Sequence, residues 1–171
     1  MNTVDVIGKL NLPKLAEVFA RHNIEYIIIG GAAATLLGSP LITFDIDVCY
    51  RRDRENLVRL VPALQEFQPT LRGAPPGLPF VLDARSLELG SNFTFDTNIG
   101  PLDLLGWVEP FGTYEELLPR AESTSIGQHP VRIIGLDDLI AVKQHIRRPK
   151  DQAALFQLLA IKKIREESSP R

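Results

Sequence analysis

Apolar residues recur along this chain at two spacings, and the switches between them mark out its elements. Leu12, Leu15, Ala16 and Phe19 fall on one stripe of a 3.6-residue repeat, which predicts a helix over 12–21. Asn11 stands where a cap is expected, Pro13 sits in the first turn, and Asn23 is placed to end the helix in a left-handed conformation. A continuous apolar run over 24–29 follows and reads as a buried strand. Gly30 and Gly31 stop it, a short apolar helix comes next, and a second strand carries Asp45 and Asp47 between apolar neighbours.

The same patterning continues toward the C-terminus. Leu57, Leu60, Val61 and Leu64 predict a helix after Asp53, with Pro62 expected to kink or split it. Four prolines and two glycines make 69–79 a loop or the rim of a cleft. Residues 80–83, 87–89, 93–97 and 102–105 read as short strands, the last two joined by a turn at 98–100. Thr113 and Glu116 have capping-box spacing and open a helix. Strands at 123–126 and 131–134 flank Gly127 and Gln128, and helices over 136–147 and 149–164 close the chain. The expectation is a single α/β (α+β) domain with a mixed, twisted sheet and flanking helices mainly on one side. Residues 1–135 form its core, 136–166 a C-terminal helical pair packed on that core, and 167–171 a disordered tail.

Composition sharpens the setting more than the fold. A chain of 171 residues, 44% hydrophobic and 23% charged, suits one globular core. Its formal net charge of −2 gives no global attraction to nucleic acid, so contact with RNA would need a local basic patch. Cys49 stands alone and cannot form an internal disulfide, which points to a reduced, cytoplasmic setting. The longest mostly apolar run, 26–38, is too short and glycine-rich to cross a bilayer, so no membrane association is expected.

The chemistry concentrates around the two aspartates. Strand side chains alternate, so Asp45 and Asp47 are expected to share a face while Ile46 and Val48 turn to the core. Two carboxylates among apolar residues repel each other and resist desolvation unless a cation sits between them. A hard divalent ion such as Mg2+ is the usual partner of carboxylate oxygens. The backbone N–H groups of Gly30 and Gly31, at a helix start, suit a phosphate. Together the two features imply a nucleotide. Taken alone, an Asp-x-Asp pair is more often a solvated edge, and the glycine pair also reads as a tight strand-to-helix turn needed for close packing, which is compatible with a phosphate site. Thr43 either supports a metal ligand or sugar or is a good strand former, and Ser39 either contacts phosphate or belongs to a plain turn. Trp107 and Phe111 read equally as core or as cleft wall. His22, His129 and His145 have no zinc-like spacing.

The run from Tyr26 to Val48, with Gly30, Gly31, Asp45 and Asp47, resembles the nucleotidyltransferase fold of the DNA polymerase beta superfamily. Within it the nearest likeness is to small prokaryotic minimal and abortive-infection-type nucleotidyltransferases. The resemblance extends to 101–105 and 136–143 and implies a third carboxylate on a later strand. Asp103 is the choice, with Asp96 as competitor and Asp83 a weaker one. It also implies two Mg2+ ions held by Asp45, Asp47 and Asp103, and an NTP donor contacted by Gly30, Gly31, Ser39 and Thr43. Lys143 would reach the triphosphate, and Arg147 would add a basic edge. By the same resemblance the activity is transfer of a nucleoside monophosphate to a hydroxyl of a macromolecule, a tRNA or a protein. A toxin–antitoxin or defence role with an antitoxin-like partner protein belongs to that likeness. Relatives often carry a basic residue where this chain has Leu41. A silent module that binds a nucleotide or a partner is the alternative, and a small-molecule transferase the third reading.

Overall fold

A seven-stranded mixed sheet forms the spine of the computed structural model, which describes residues 11–169. In chain order the elements are α1 (Leu12–Arg21), β1 (Tyr26–Ile29), α2 (Gly30–Leu36), β2 (Ile46–Tyr50), α3 (Arg54–Gln65), β3 (Thr70–Leu71), α4 (Ala84–Leu89) and β4 (Asn92–Asp96). Then come β5 (Leu102–Leu105), α5 (Tyr114–Leu117), β6 (Glu122–Ile126), β7 (His129–Ile133), α6 (Leu136–Ile146) and α7 (Pro149–Ser168). The strand order is β3-β4-β5-β2-β1-β7-β6. The pairs β2–β5 and β1–β7 run parallel, and the other neighbours are antiparallel.

Register decides which side chains meet. On β2 and β5, Ile46, Val48, Leu102 and Leu104 share one face and are all buried. Asp47, Cys49 and Asp103 leave the other face, joined there by Ile27 and Ile29 of β1. Ile27 and Cys49 are also fully buried, so the centre of the sheet is covered on both sides. Such two-sided burial explains why 26–29 is a continuous apolar run without alternation.

Several elements form as their patterns dictate, and some differ for local reasons. The α1 stripe is buried throughout, and Asn23 ends that helix at φ 54°. Asn11 holds the cap position, but in a left-handed conformation and without a side-chain capping bond. Pro62 leaves α3 unbroken. The bond it removes belongs to the carbonyl of Val58, a residue on the exposed face of the helix. Residues 87–89, expected as strand, lie in α4. Leu87 and Leu89 alternate around Glu88 as a strand would, yet Leu89 is exposed and Asp83 caps a helix by accepting from Ser86 N–H at 2.7 Å. Residues 80–83 lie outside any strand. Inside the expected loop 69–79, Thr70 and Leu71 pair with Asp96 and Phe95 to form a two-residue edge strand. The final helix runs on to Ser168, into the expected tail, of which 170 and 171 lie outside the described residues.

Candidate active site

The turn from β1 into α2 is built on its two glycines. Gly30 adopts φ +62°, and a Cβ there would strike the Asp47 carboxylate. A Cβ on Gly31 would stand 2.5 Å from Thr43 Oγ1. The missing side chains therefore let Asp47 and the 38–45 loop pack directly onto the start of α2. Thr43 Oγ1 donates to the Asp45 carbonyl at 3.3 Å, and Ser39 Oγ, itself buried, accepts from Leu41 N–H at 3.3 Å. Asp45 stands immediately before β2, not within it.

Asp47 and Asp103 are register partners on parallel neighbouring strands. Burial raises the Asp47 pKa to about 6, and the negative charges of Asp103 and Asp45 add to the rise against Lys143 and Lys150. Burial likewise raises the Asp103 pKa, opposed by the Arg72 guanidinium. Asp96 and Asp83, the alternative third carboxylates, sit elsewhere. Asp96 lies on β4, a strand further from Asp47 and more exposed, and Asp83 is spent as the cap of α4. Hydrogen bonding to Ser86 lowers the Asp83 pKa accordingly.

Cations gather on the opposite wall, at the α6–α7 junction. Lys143 Nζ lies 2.7 Å from Asp151 Oδ1, and Arg148 Nε lies 2.7 Å from Asp151 Oδ2. Asp151 is almost fully buried. Burial opposes its ionisation, but the hydrogen bonds from Arg148 and Lys143 outweigh that and hold its pKa down. Lys143, Arg148 and Lys150 line the cleft together with Gly31, Ser39, Thr43, Asp45 and Asp47. Arg147 does not. It ends α6 at φ 55°, exposed, with its Nε donating to the Gln144 carbonyl. The basic edge is thus supplied by Arg148 and Lys150, one and three residues further on.

Beyond Asp103 the cleft widens into a cavity of about 520 Å³, walled by Leu105, Trp107, Val142 and Ile146. Trp107 is half exposed there, and its Nε1–H donates to Glu109 Oε1 at 3.0 Å. Phe111 instead packs under Arg120, whose guanidinium carbon lies 5.1 Å from the ring centroid. Arg72, which follows the short edge strand, was invisible to sequence patterning yet brings its guanidinium to within 2.9 Å of Asp103 Oδ1.

A divalent cation fits this donor set. Asp103 Oδ1 is buried and has no aligned hydrogen-bond partner among the described residues. Asp47 is buried beside two other carboxylates, and the neighbouring donors are hard oxygens. As they stand, the described residues contain no group of three or more His, Cys, Asp or Glu side chains closed around a common point.

No protein-family model matches the chain, and no curated protein matches it. Solved structures do. The lincosamide antibiotic adenylyltransferase LnuA, solved with lincomycin bound, superposes with a TM-score of 0.57 at 14% identity, over 85% of this chain and 92% of its own. The antibiotic-resistance factor ANT(2'')-Ia gives 0.56 at 15% identity, over 98% and 94%. An antigenic nucleotidyltransferase-like protein from Paracoccidioides brasiliensis gives 0.58 at 17% identity, over 90% and 74%. At these identities the likeness is one of fold: this chain has the nucleotidyltransferase fold. Among its described residues no helix is long and apolar enough to cross a membrane.

Proposed function

We propose that this protein is a Mg2+-dependent nucleotidyltransferase that moves a nucleoside monophosphate from an NTP to an acceptor hydroxyl. The observation that carries the reading is the alignment of Asp47 with Asp103 on adjacent parallel strands, with Asp45 beside them and a cationic wall opposite. Asp45, Asp47 and Asp103 would hold two Mg2+ ions, which when bound neutralise the leaving pyrophosphate and lower the acceptor's pKa. Gly30 and Gly31, whose missing side chains seat Asp47 and Thr43, would offer their backbone N–H groups at the start of α2 to the phosphates. Ser39 and Thr43 offer hydroxyls, and Lys143, Arg148 and Lys150 offer charge to the triphosphate. Arg147, on its exposed turn, is left to the rim.

The acceptor is a hydroxyl of a macromolecule, a tRNA or a protein, in the reading the sequence resemblance supports. An antitoxin-like partner and a defence role rest on that resemblance alone. The 520 Å³ cavity beside Asp103 favours a second reading, a small-molecule acceptor, in keeping with the two antibiotic-related proteins of the same fold. The test is calorimetric titration of each NTP with and without Mg2+, into wild-type protein and Asp45→Asn/Asp47→Asn. Metal-dependent binding that the double variant loses supports the enzyme. NTP labelled at the α-phosphate then identifies the acceptor. No binding of any NTP at millimolar concentration points to the silent module.

A further inference from the structure

Arg72 is held on three sides before it meets Asp103. Its backbone N–H donates to the Thr94 carbonyl at 2.9 Å, its Nε to Asp96 Oδ1 at 3.1 Å, and its Nη2 to the Phe95 carbonyl at 2.7 Å. These bonds fix the guanidinium over β4 and aim its edge at β5. The same Nη2 then stands 2.9 Å from Asp103 Oδ1, with one of its two N–H bonds directed to Phe95 and neither aligned with that oxygen. Asp103 Oδ1 therefore faces a positive charge without receiving a hydrogen bond. Such a contact neutralises charge and is readily exchanged, because no directed bond has to be broken at that oxygen.

The charge sits where the acidic face needs it. Lys143 and Lys150 act on Asp47 from one side of the cleft, and Arg72 acts on Asp103 from the other. We infer that Arg72 is a positioning residue of this site: it is the resident counter-charge of Asp103, holding that carboxylate at the cleft and competing with a divalent cation for it. The inference rests on the metal-binding reading above. Its reach is electrostatic, so it is a matter of charge and not of the guanidinium's shape. A unit charge removed from within several ångströms of a divalent ion, at the screening of a half-exposed cleft, changes affinity by about tenfold.

Mn2+ is the probe, titrated into the full chain without nucleotide and followed by the electron paramagnetic resonance of the free ion. Arg72→Gln is expected to bind Mn2+ about tenfold more tightly than wild type, and Arg72→Lys to stay within about twofold of it. Arg72→Met keeps the packed stem and provides a second neutral variant if the glutamine protein does not fold. Neutral variants that bind Mn2+ no better than wild type, or more weakly, overturn the inference and leave Arg72 a purely structural tie between β4 and β5. Asp45→Asn/Asp47→Asn separates the two levels of the argument. If it leaves wild-type Mn2+ binding intact, or if wild type binds none, the metal reading fails and takes this inference with it.

Discussion

Asp47 and Asp103 stand side by side in register on β2 and β5, so two carboxylates leave the same sheet face at the same level. Everything around them can be understood as a response to that pairing. Glycine clears space beside Asp47, Arg72 counters Asp103, and lysines approach from α6 and α7.

Burial, reinforced by the pairing, makes ionised Asp47 a destabilising group without metal. Its folded pKa, raised to about 6, exceeds the unfolded value of 3.8, so the folded state binds more protons between those limits. Stability from this residue therefore falls as pH rises through that window, by up to ~3 kcal/mol. Asp47→Asn is expected to be more stable than wild type in urea near pH 7.5 without divalent ions, by ~1–3 kcal/mol. The advantage should vanish near pH 4 and shrink on adding Mg2+. Urea melts at both pH values, with and without the ion, provide the check.

Gly30 and Gly127 separate conformational strain from collision. Both have positive φ, but only at Gly30 would a Cβ strike a side chain, that of Asp47. Gly127→Ala is expected to cost ~1 kcal/mol and to leave nucleotide binding unchanged. Gly30→Ala should cost ~2 kcal/mol or more and abolish Mg2+-dependent NTP binding. Equal effects on binding would remove Gly30 from the site.

Asp151 joins α6 to α7 from a buried position, with Lys143 and Arg148 as partners. Truncation to alanine leaves the largely buried Lys143 ammonium without its anion. Denaturant unfolding of Asp151→Ala should show a loss of ~3 kcal/mol. Replacing the pair together, as Lys143→Met/Asp151→Leu, should recover much of it, because apolar isosteres avoid the desolvation of both charges.

Leu41 lines the cleft beside Ser39 and Thr43, and its backbone N–H is held by Ser39 Oγ. A guanidinium grafted there, Leu41→Arg, adds a phosphate-binding charge without disturbing the loop. NTP affinity measured by calorimetry should rise about fivefold at low salt, with the gain fading as salt screens it. An unchanged affinity would mean that the triphosphate does not lie along this wall.

The parts of the site legible in the sequence are those written in short stretches. The Gly30–Gly31 turn and the aspartates of 45–47 each announce themselves within a few residues, because one strand or one turn contains the whole signal, whereas the choice of Asp103 over Asp96 leans partly on the family resemblance. Asp103 pairing with Asp47 needed the structure, since parallel register between distant strands leaves no local trace. Arg72 was hidden for a related reason: the strand that delivers it is two residues long and sits in a stretch rich in proline and glycine. Within the basic run 147–151 the resemblance singles out Arg147, whereas the left-handed end of α6 leaves that side chain exposed and it is Arg148 and Lys150 that line the cleft. Alternating leucines misrepresented α4 as strand, because a six-residue helix that buries only Leu87 has too few turns to display its own period.

The brevity of β3 has a consequence beyond the site. Every sheet that is not closed into a barrel has margins, and a long, flat margin invites another chain to add a strand. Here the sheet runs out after Thr70 and Leu71, with Pro69 ahead and a glycine- and proline-rich turn behind. A newcomer finds two residues to pair with, then a guanidinium already committed to Asp96. The segment that brings Arg72 to Asp103 also leaves that margin without a template, so on this side the protein is guarded against edge-to-edge association by the same few residues that complete its cleft.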